Sequence, residues 1–229
     1  LVDVAEIHVQ RRRLKAAMGE AMDSLWRQVV TSYANAAQYT PGAYDIGVRA
    51  LRHLALDFLL AAEPQALAPA RDLYESSDNL TDRLAALRWI VCYGQPEERA
   101  EVLDDFYGRW KHEALVVNQW LTVQATRPNA DCVESVAALM GHESFDWRNP
   151  NKLRALIGAF ASGNPIAFHR ADGAGYRLMG DVVARIQATN PQIAARMLAP
   201  LTRWKRFANG QEAMRGELER LAAIDPLPK

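Results

Sequence analysis

Hydrophobic residues recur every three, four or seven positions along most of the chain, which is the spacing of one face of an α-helix. The first such run predicts a single long amphipathic helix from about Val4 to Tyr33. A break at Gln38 to Gly42 separates it from a second helix that carries Ile46 to Phe58. No segment alternates apolar and polar residues strongly enough to predict a strand. The pattern therefore predicts an all-α chain of ten or more helices, each of roughly 8 to 20 residues.

Capping residues mark where several of these helices begin. Asn79 followed by Asp82 predicts a helix that runs to Tyr93, with an acidic first turn. Three Asn-Pro dipeptides each predict a further helix start, because the Asn side chain accepts a hydrogen bond from a first-turn amide and Pro needs no donor there. These dipeptides are Asn149-Pro150, Asn164-Pro165 and Asn190-Pro191.

The residue composition supports helix over strand. Counts of 38 Ala and 25 Leu stand against 15 Val and 8 Ile, and Ala and Leu lose little conformational freedom in a helix. Helices joined by short turns over this length form either a closed bundle or a superhelix of stacked antiparallel pairs. No repeat of fixed period is visible, so we favour a degenerate armadillo- or HEAT-like stack without a sheet. We expect residues 1–229 to form one domain.

The balance of charge excludes some partners. The chain has 27 Lys and Arg against 27 Asp and Glu, which provides no overall field for nucleic acid or an anionic membrane. No apolar run approaches the roughly 20 residues of a membrane span, and no signal peptide is visible. We expect a cytoplasmic monomer that binds neither nucleic acid nor membrane. Cys92 and Cys132 are expected to be buried thiols, although one bridge between them stays open.

The sequence contains no recognisable catalytic or metal-binding motif. A zinc peptidase helix needs His-Glu-x-x-His, but Val116 stands at the fifth position after His112, and Asp146 does so after His142. The chain also lacks a Gly-x-Ser-x-Gly elbow and a Cys-x-x-Cys pair. We therefore predict no catalytic residue, no metal ligand and no cofactor in this chain.

The segment from Asn149 to Tyr176 departs from a simple amphipathic helix. Gly158 allows close backbone approach in mid-helix, and Asp172 with Gly173 predicts a tight turn. With its neighbours, this segment resembles the C-terminal helical domain of the bacterial aminopeptidase N family, which are gluzincin-type zinc aminopeptidases. The resemblance extends from about Glu6 to Pro226 and rests on an ordered set of motifs. They are Asn79 to Asp82, Trp110, Trp120, Gln124 to Thr126, Asn149 to Asn151, Leu156 to Phe160, Asn164-Pro165, Ala167 to His169, Asp172-Gly173, Gly175-Tyr176 and Asn190 to Gln192.

The resemblance implies a non-catalytic helical superhelix, trimmed at both ends, that arches over a catalytic domain of the same polypeptide. In that arrangement it forms the lid and wall of the active-site chamber and admits short peptides while excluding folded proteins. The zinc and its ligands belong to the catalytic domain, so this chain is expected to be inactive alone. The alternative is a free-standing helical-repeat scaffold that binds a protein or peptide partner.

Two arginines are the predicted substrate-binding residues. Arg154 and Arg196 occupy matching positions about one turn into helices that begin with Asn-Pro, where an inward side chain could bind the C-terminal carboxylate of a peptide. An ion pair with an acidic neighbour is the alternative for each. Asp172 and Tyr176 are expected to fix the turn between them and not to touch substrate.

Overall fold

The computed structural model describes residues 1–33 and 39–224 of the chain, and every regular element in this part is helical. The prediction of an all-α fold is confirmed. The described residues form fourteen α-helices, a π-helical segment between α9 and α10, and a 3-10 turn before α14. Their bounds are α1 Val4–Ala21, α2 Asp23–Ser32, α3 Ala43–Ala62, α4 Ala68–Ser76, α5 Leu80–Tyr93, α6 Pro96–Trp110, α7 Ala114–Ala125, α8 Cys132–Leu139, α9 Pro150–Leu153, the π-helical segment Arg154–Gly158, α10 Ala159–Gly163, α11 Pro165–Phe168, α12 Ala174–Ile186, α13 Pro191–Thr202, the 3-10 turn Trp204–Arg206, and α14 Gln211–Ala222.

The chain divides into two compact units. The N-terminal unit is Val9–Gly108, and the C-terminal unit combines Leu1–His8 with Arg109–Lys229. The assignment of residues 1–229 to one domain stays a prediction. None of the described helices is both long and apolar enough to span a membrane. No disulfide joins Cys92 and Cys132. Cys132 is fully buried as expected, whereas Cys92 is only half-buried.

The predicted helix from Val4 to Tyr33 is in fact two helices. Met22, with φ −119° and ψ 21°, interrupts the helical backbone between α1 and α2. The turn allows Trp26 to be buried, with its ring stacked on Phe58 at 4.9 Å and its Nε1 donating to the Met18 carbonyl. Periodicity alone missed the break because the apolar spacing continues through it. The predicted interruption at Gln38 falls partly outside the described residues.

The N-terminal unit contains a buried polar cluster at the start of α5. The fully buried Asp82 carboxylate contacts Arg52 Nη2 and His53 Nε2, each at 2.6 Å, and accepts from Asn79 Nδ2 at 3.0 Å. Burial opposes ionisation of Asp82, but the hydrogen bonds of His53, Asn79 and Arg52 outweigh it and lower the pKa of Asp82. The Asn79 side chain accepts from the Asp82 amide as predicted for a helix cap.

All three Asn-Pro helix starts are confirmed in the C-terminal unit. Asn149 accepts from the Asn151 amide, Asn164 from the Ala167 amide and Asn190 from the Ile193 amide, each with Pro in the first turn. The predicted minimum length of about eight residues is wrong for α11, which has four residues, whereas α9, the π-helical segment and α10 follow one another without a break from Pro150 to Gly163. The short helix α11 has the Asn164 side chain bonded to an amide of its first turn.

Asn164 differs from the other two caps because it also joins separate elements. Its side chain is fully buried, and its Nδ2 donates to the Ala125 carbonyl at 3.1 Å and the Arg127 carbonyl at 2.6 Å. Its Oδ1 accepts from the Ala167 amide at 3.1 Å. One side chain therefore satisfies the end of α7 and the beginning of α11, where water has no access.

The helix that begins at Pro150 widens into π geometry between Arg154 and Gly158. The hydroxyl of Thr122, on α7, donates to the Ala155 carbonyl at 2.9 Å. A carbonyl in the widened turn thus receives a partner from another helix. Segments of this kind occur mostly as single-turn insertions in α-helices.

An aromatic cluster follows Asn164 along the chain. His169 Nδ1 and the Tyr176 hydroxyl form a hydrogen bond of 2.9 Å, and Phe168 packs edge-on against the Tyr176 ring. Burial lowers the pKa of His169 to about 4 and raises that of Tyr176 to about 12. Both side chains are therefore neutral near pH 7. Gly210 has φ +79°, and a Cβ there would overlap the Tyr176 hydroxyl, so the cluster also requires glycine at that position.

We expect Asn164→Ala to lower the free energy of unfolding by about 2–4 kcal/mol, because the cap is lost and two buried carbonyls lose their donor. Asn149→Ala is the matched control. It removes one cap bond from a half-buried site and is expected to cost about 1 kcal/mol. Urea denaturation of both variants checks this, and equal losses would contradict the joining role of Asn164.

We expect the His169 ring to stay neutral down to about pH 4, whereas a histidine in the unfolded chain titrates near pH 6.5. The unfolded state then binds more protons between these values, so the free energy of unfolding falls as pH drops from about 6.5 to about 4. NMR titration of the ring measures the pKa directly. The variant His169→Gln cannot titrate and should lose less stability over this interval; titration of His169 near pH 6.5 would refute the assignment.

Candidate functional site

The two arginines predicted from sequence are exposed residues of the C-terminal unit. Arg154 begins the π-helical segment, and its Nη2 donates to Asn151 Oδ1. Arg196 lies in α13, on the turn that also carries the buried Met197. Among the described residues, no carboxylate lies within ion-pair distance of either guanidinium. An ion pair with a neighbour was the alternative for each, and no described acidic residue supplies it.

Arg196 lines an open pocket of about 340 Å³. We call it the Arg196 pocket. Its walls come from the π-helical segment, α10, α11, α12, α13 and the residues that follow α11 and α13, and their side chains are mostly apolar. They include Phe168, Met179, Met197, Pro200 and Phe207. The pocket is therefore a concave apolar surface with a cation at its margin.

Arg154 does not line this pocket but stands beside it. Gly158, one turn further along, is part of the wall, and a Cβ placed there would lie 3.8 Å from Arg154 Cβ and 3.6 Å from Met197 Cε. The π-helical segment and α13 thus meet at this glycine. The structure brings Arg154 and Arg196 to the same region of the C-terminal unit, on two elements that are more than thirty residues apart in sequence.

Sequence reasoning missed a second cation of the pocket. Arg203 is the residue at the C-terminal end of α13 and lines the same wall as Arg196. The signal was present, because a spacing of seven residues places two side chains on one helical face. Arg203 also has no carboxylate partner among the described residues.

The structure places Asp172 in the turn before α12. Asp172 accepts from the Ala174 amide at 3.0 Å and pairs with Arg170 at 2.9 Å, which fixes the turn before α12. The Arg170 hydrogen bond, with the Ala174 amide next, lowers the pKa of Asp172 to about 2. Tyr176 is buried against His169 and away from solvent.

The histidines do not assemble a metal site in the described chain. His112 is exposed, and His142 bonds to Ser144 and packs against Trp120. No group of three or more His, Cys, Asp or Glu side chains that could hold a metal ion occurs within residues 1–33 and 39–224. The chemistry available at the Arg196 pocket is binding of an anion next to an apolar surface.

Comparison with known proteins places the whole chain in one family. A family model described as "Domain of unknown function (DUF3458_C) ARM repeats" matches residues 1–229. The description confirms the prediction of an armadillo-like helical repeat. The chain is 37% identical over 229 residues to aminopeptidase N of Haemophilus influenzae and 36% identical over 223 residues to that of Escherichia coli. These alignments cover 100% and 92% of this chain but only 26% of each relative.

A solved structure has the same fold. The crystal structure of Legionella pneumophila aminopeptidase A in complex with aspartic acid superimposes with a TM-score of 0.87 at 26% identity. The match covers 96% of this chain and 27% of that one. The chain thus spans about a quarter of the length of the aminopeptidases that it matches. It belongs to the family of DUF3458_C ARM-repeat domains and corresponds to the C-terminal helical part of aminopeptidase N enzymes.

Proposed function

We propose that this chain is the non-catalytic C-terminal domain of a zinc aminopeptidase that releases N-terminal residues from peptides. The observation that carries the proposal is the alignment of the whole chain with about a quarter of the length of an aminopeptidase N sequence. The zinc and the catalytic residues belong to the catalytic domain of the same polypeptide. This domain forms the lid and wall of the active-site chamber and limits the size of the substrate.

Exposed apolar residues of the N-terminal unit support the proposal that another protein surface covers this unit. Leu14 of α1, Leu25 of α2, and Ile46 and Leu54 of α3 are large apolar residues that are 46–63% exposed. Several such residues on consecutive helices indicate a surface that is buried against another protein surface. We assign that surface to the remaining three quarters of the aminopeptidase polypeptide. A free-standing scaffold, the alternative, has no separate observation in its favour.

Arg154 and Arg196 are proposed to bind the C-terminal carboxylate of the peptide. Both residues are exposed and have no carboxylate within ion-pair distance among the described residues, so their charge is available to a ligand. Arg forms paired, charge-assisted hydrogen bonds with carboxylates because its donors match the two oxygens. Peptides are thus the proposed substrates. A cytoplasmic, monomeric enzyme remains part of the proposal.

We expect the 229-residue chain alone to show no zinc-dependent hydrolysis of aminoacyl-arylamides. Its own residues supply no His-Glu-x-x-His motif to hold and activate a metal-bound water. Turnover is measured with purified chain before and after addition of zinc, with the full-length polypeptide as the positive control. Zinc-dependent activity that co-purifies with the isolated chain would overturn the non-catalytic assignment.

We expect Arg154→Ala or Arg196→Ala in the full-length polypeptide to raise KM about tenfold for short peptides with a free C-terminus. Aminoacyl-arylamides lack that carboxylate, so their KM should stay nearly unchanged. Steady-state kinetics with both substrate classes separates the effects. Equal changes for peptides and arylamides would count against carboxylate binding.

A further inference from the structure

The Arg196 pocket holds two positive charges without a compensating negative one. Arg196 and Arg203 both line it, and none of the residues in its wall is acidic. No described carboxylate pairs with either guanidinium. The neighbouring His169 is also in the wall, and burial lowers its pKa to about 4, so it contributes no charge near pH 7. Two cations at one small concave site favour an anionic ligand.

The rest of the wall favours an apolar group on that ligand. Phe168 and Met179 are 1% exposed and Met197 is 6% exposed, so the floor consists of fixed, well-packed side chains. Phe207 closes one side and packs on the His169 ring at 4.4 Å. A volume of about 340 Å³ lies within the range of small-ligand sites. An apolar side chain next to a carboxylate fits both parts of this surface.

Gly158 lines the pocket beside Met197. A Cβ at this position would lie 3.6 Å from Met197 Cε, which is an ordinary van der Waals contact. The Thr122 hydroxyl, bonded to the Ala155 carbonyl, holds the π-helical segment that places the glycine there.

The pocket lies beside the first residues of the chain. Val2 exchanges backbone hydrogen bonds with the segment after the 3-10 turn, from Val2 N to the Arg206 carbonyl at 2.7 Å and from Ala208 N to the Val2 carbonyl at 2.8 Å. A second, smaller cavity is lined by Val2 and Ala5 together with His169 and Phe207, which also line the Arg196 pocket. In the longer aminopeptidases, the polypeptide that precedes the equivalent of Leu1 would enter next to this site.

We propose that the Arg196 pocket binds the C-terminal residue of a peptide, with Arg196 and Arg203 holding the carboxylate and the apolar floor selecting an apolar side chain. The inference rests on the proposed function and goes beyond it in two respects. It adds Arg203 as a binding residue, and it specifies the class of C-terminal residue, such as leucine, that the enzyme prefers.

The test uses the full-length polypeptide and tripeptides that share their first two residues. The three substrates end in leucine, in leucine amide and in aspartate. We expect KM for the tripeptide acid that ends in leucine to be about tenfold below KM for the other two, with similar kcat, because the C-terminal residue of a tripeptide is not part of the bond that is cleaved. Calorimetry with N-acetyl-alanyl-leucine, whose blocked amine prevents hydrolysis, measures the same preference without turnover.

Variants assign the two parts of the site. Arg203→Gln should reduce the preference for acid over amide to about one, and Arg203→Lys should keep part of it, since the charge remains. Phe207→Ala should reduce the preference for leucine over aspartate, and it should reduce the preference for acid over amide less than Arg203→Gln does. Arg206→Gln is the matched control, because Arg206 is an exposed cation nearby that does not line the pocket.

The outcomes separate this inference from the proposed function. If the acid preference exists and Arg196→Ala removes it, but Arg203→Gln and the C-terminal side chain have no effect, the pocket assignment is wrong and carboxylate binding stands. If acid and amide are equal in the unmodified enzyme, both are wrong. If inorganic phosphate displaces N-acetyl-alanyl-leucine as readily as the tripeptide that ends in leucine does, the proposed selection of an apolar side chain is overturned and a general anion site remains.

Discussion

The buried amide of Asn164 is the interaction on which the C-terminal unit most depends. A chain built from many short helices has free amides and carbonyls at every helix end, and each one that is buried needs a partner. Asn164 supplies partners to the carbonyls of Ala125 and Arg127 and to the amide of Ala167. The four-residue helix α11 is possible only because its first turn is bonded in this way.

The candidate site follows from that junction. Helix α11 ends at Phe168, which forms the floor of the Arg196 pocket, and His169 follows it against Tyr176 and Phe207. Burial keeps the imidazole neutral, so the only charges at the pocket come from the arginines. Packing thus determines the electrostatics here, because the same histidine in water would carry charge at mildly acidic pH.

Part of the site could be predicted from the sequence, but the full set of residues that form it could not. The Asn-Pro caps located both arginines near helix starts, and the resemblance selected them. Arg203 was overlooked although it lies seven residues after Arg196, since spacing shows that two residues share a face without showing what that face meets. Gly158 is predicted to allow close approach, and in the structure it lines the pocket beside Met197, where a Cβ would make only an ordinary contact.

Local interactions were determined by the sequence itself. Helical spacing, the Asn caps and the tight turn at Asp172 each involve residues within a few positions of one another, so their chemistry can be read along the chain. Only the tertiary structure decided three further features. These are the break at Met22, the π-helical segment at Arg154, and the position of Arg196 and Phe207 in one pocket. Each depends on a partner from a distant segment, Phe58 for Trp26 and Thr122 for Ala155, and such partners are selected by packing that no local pattern records.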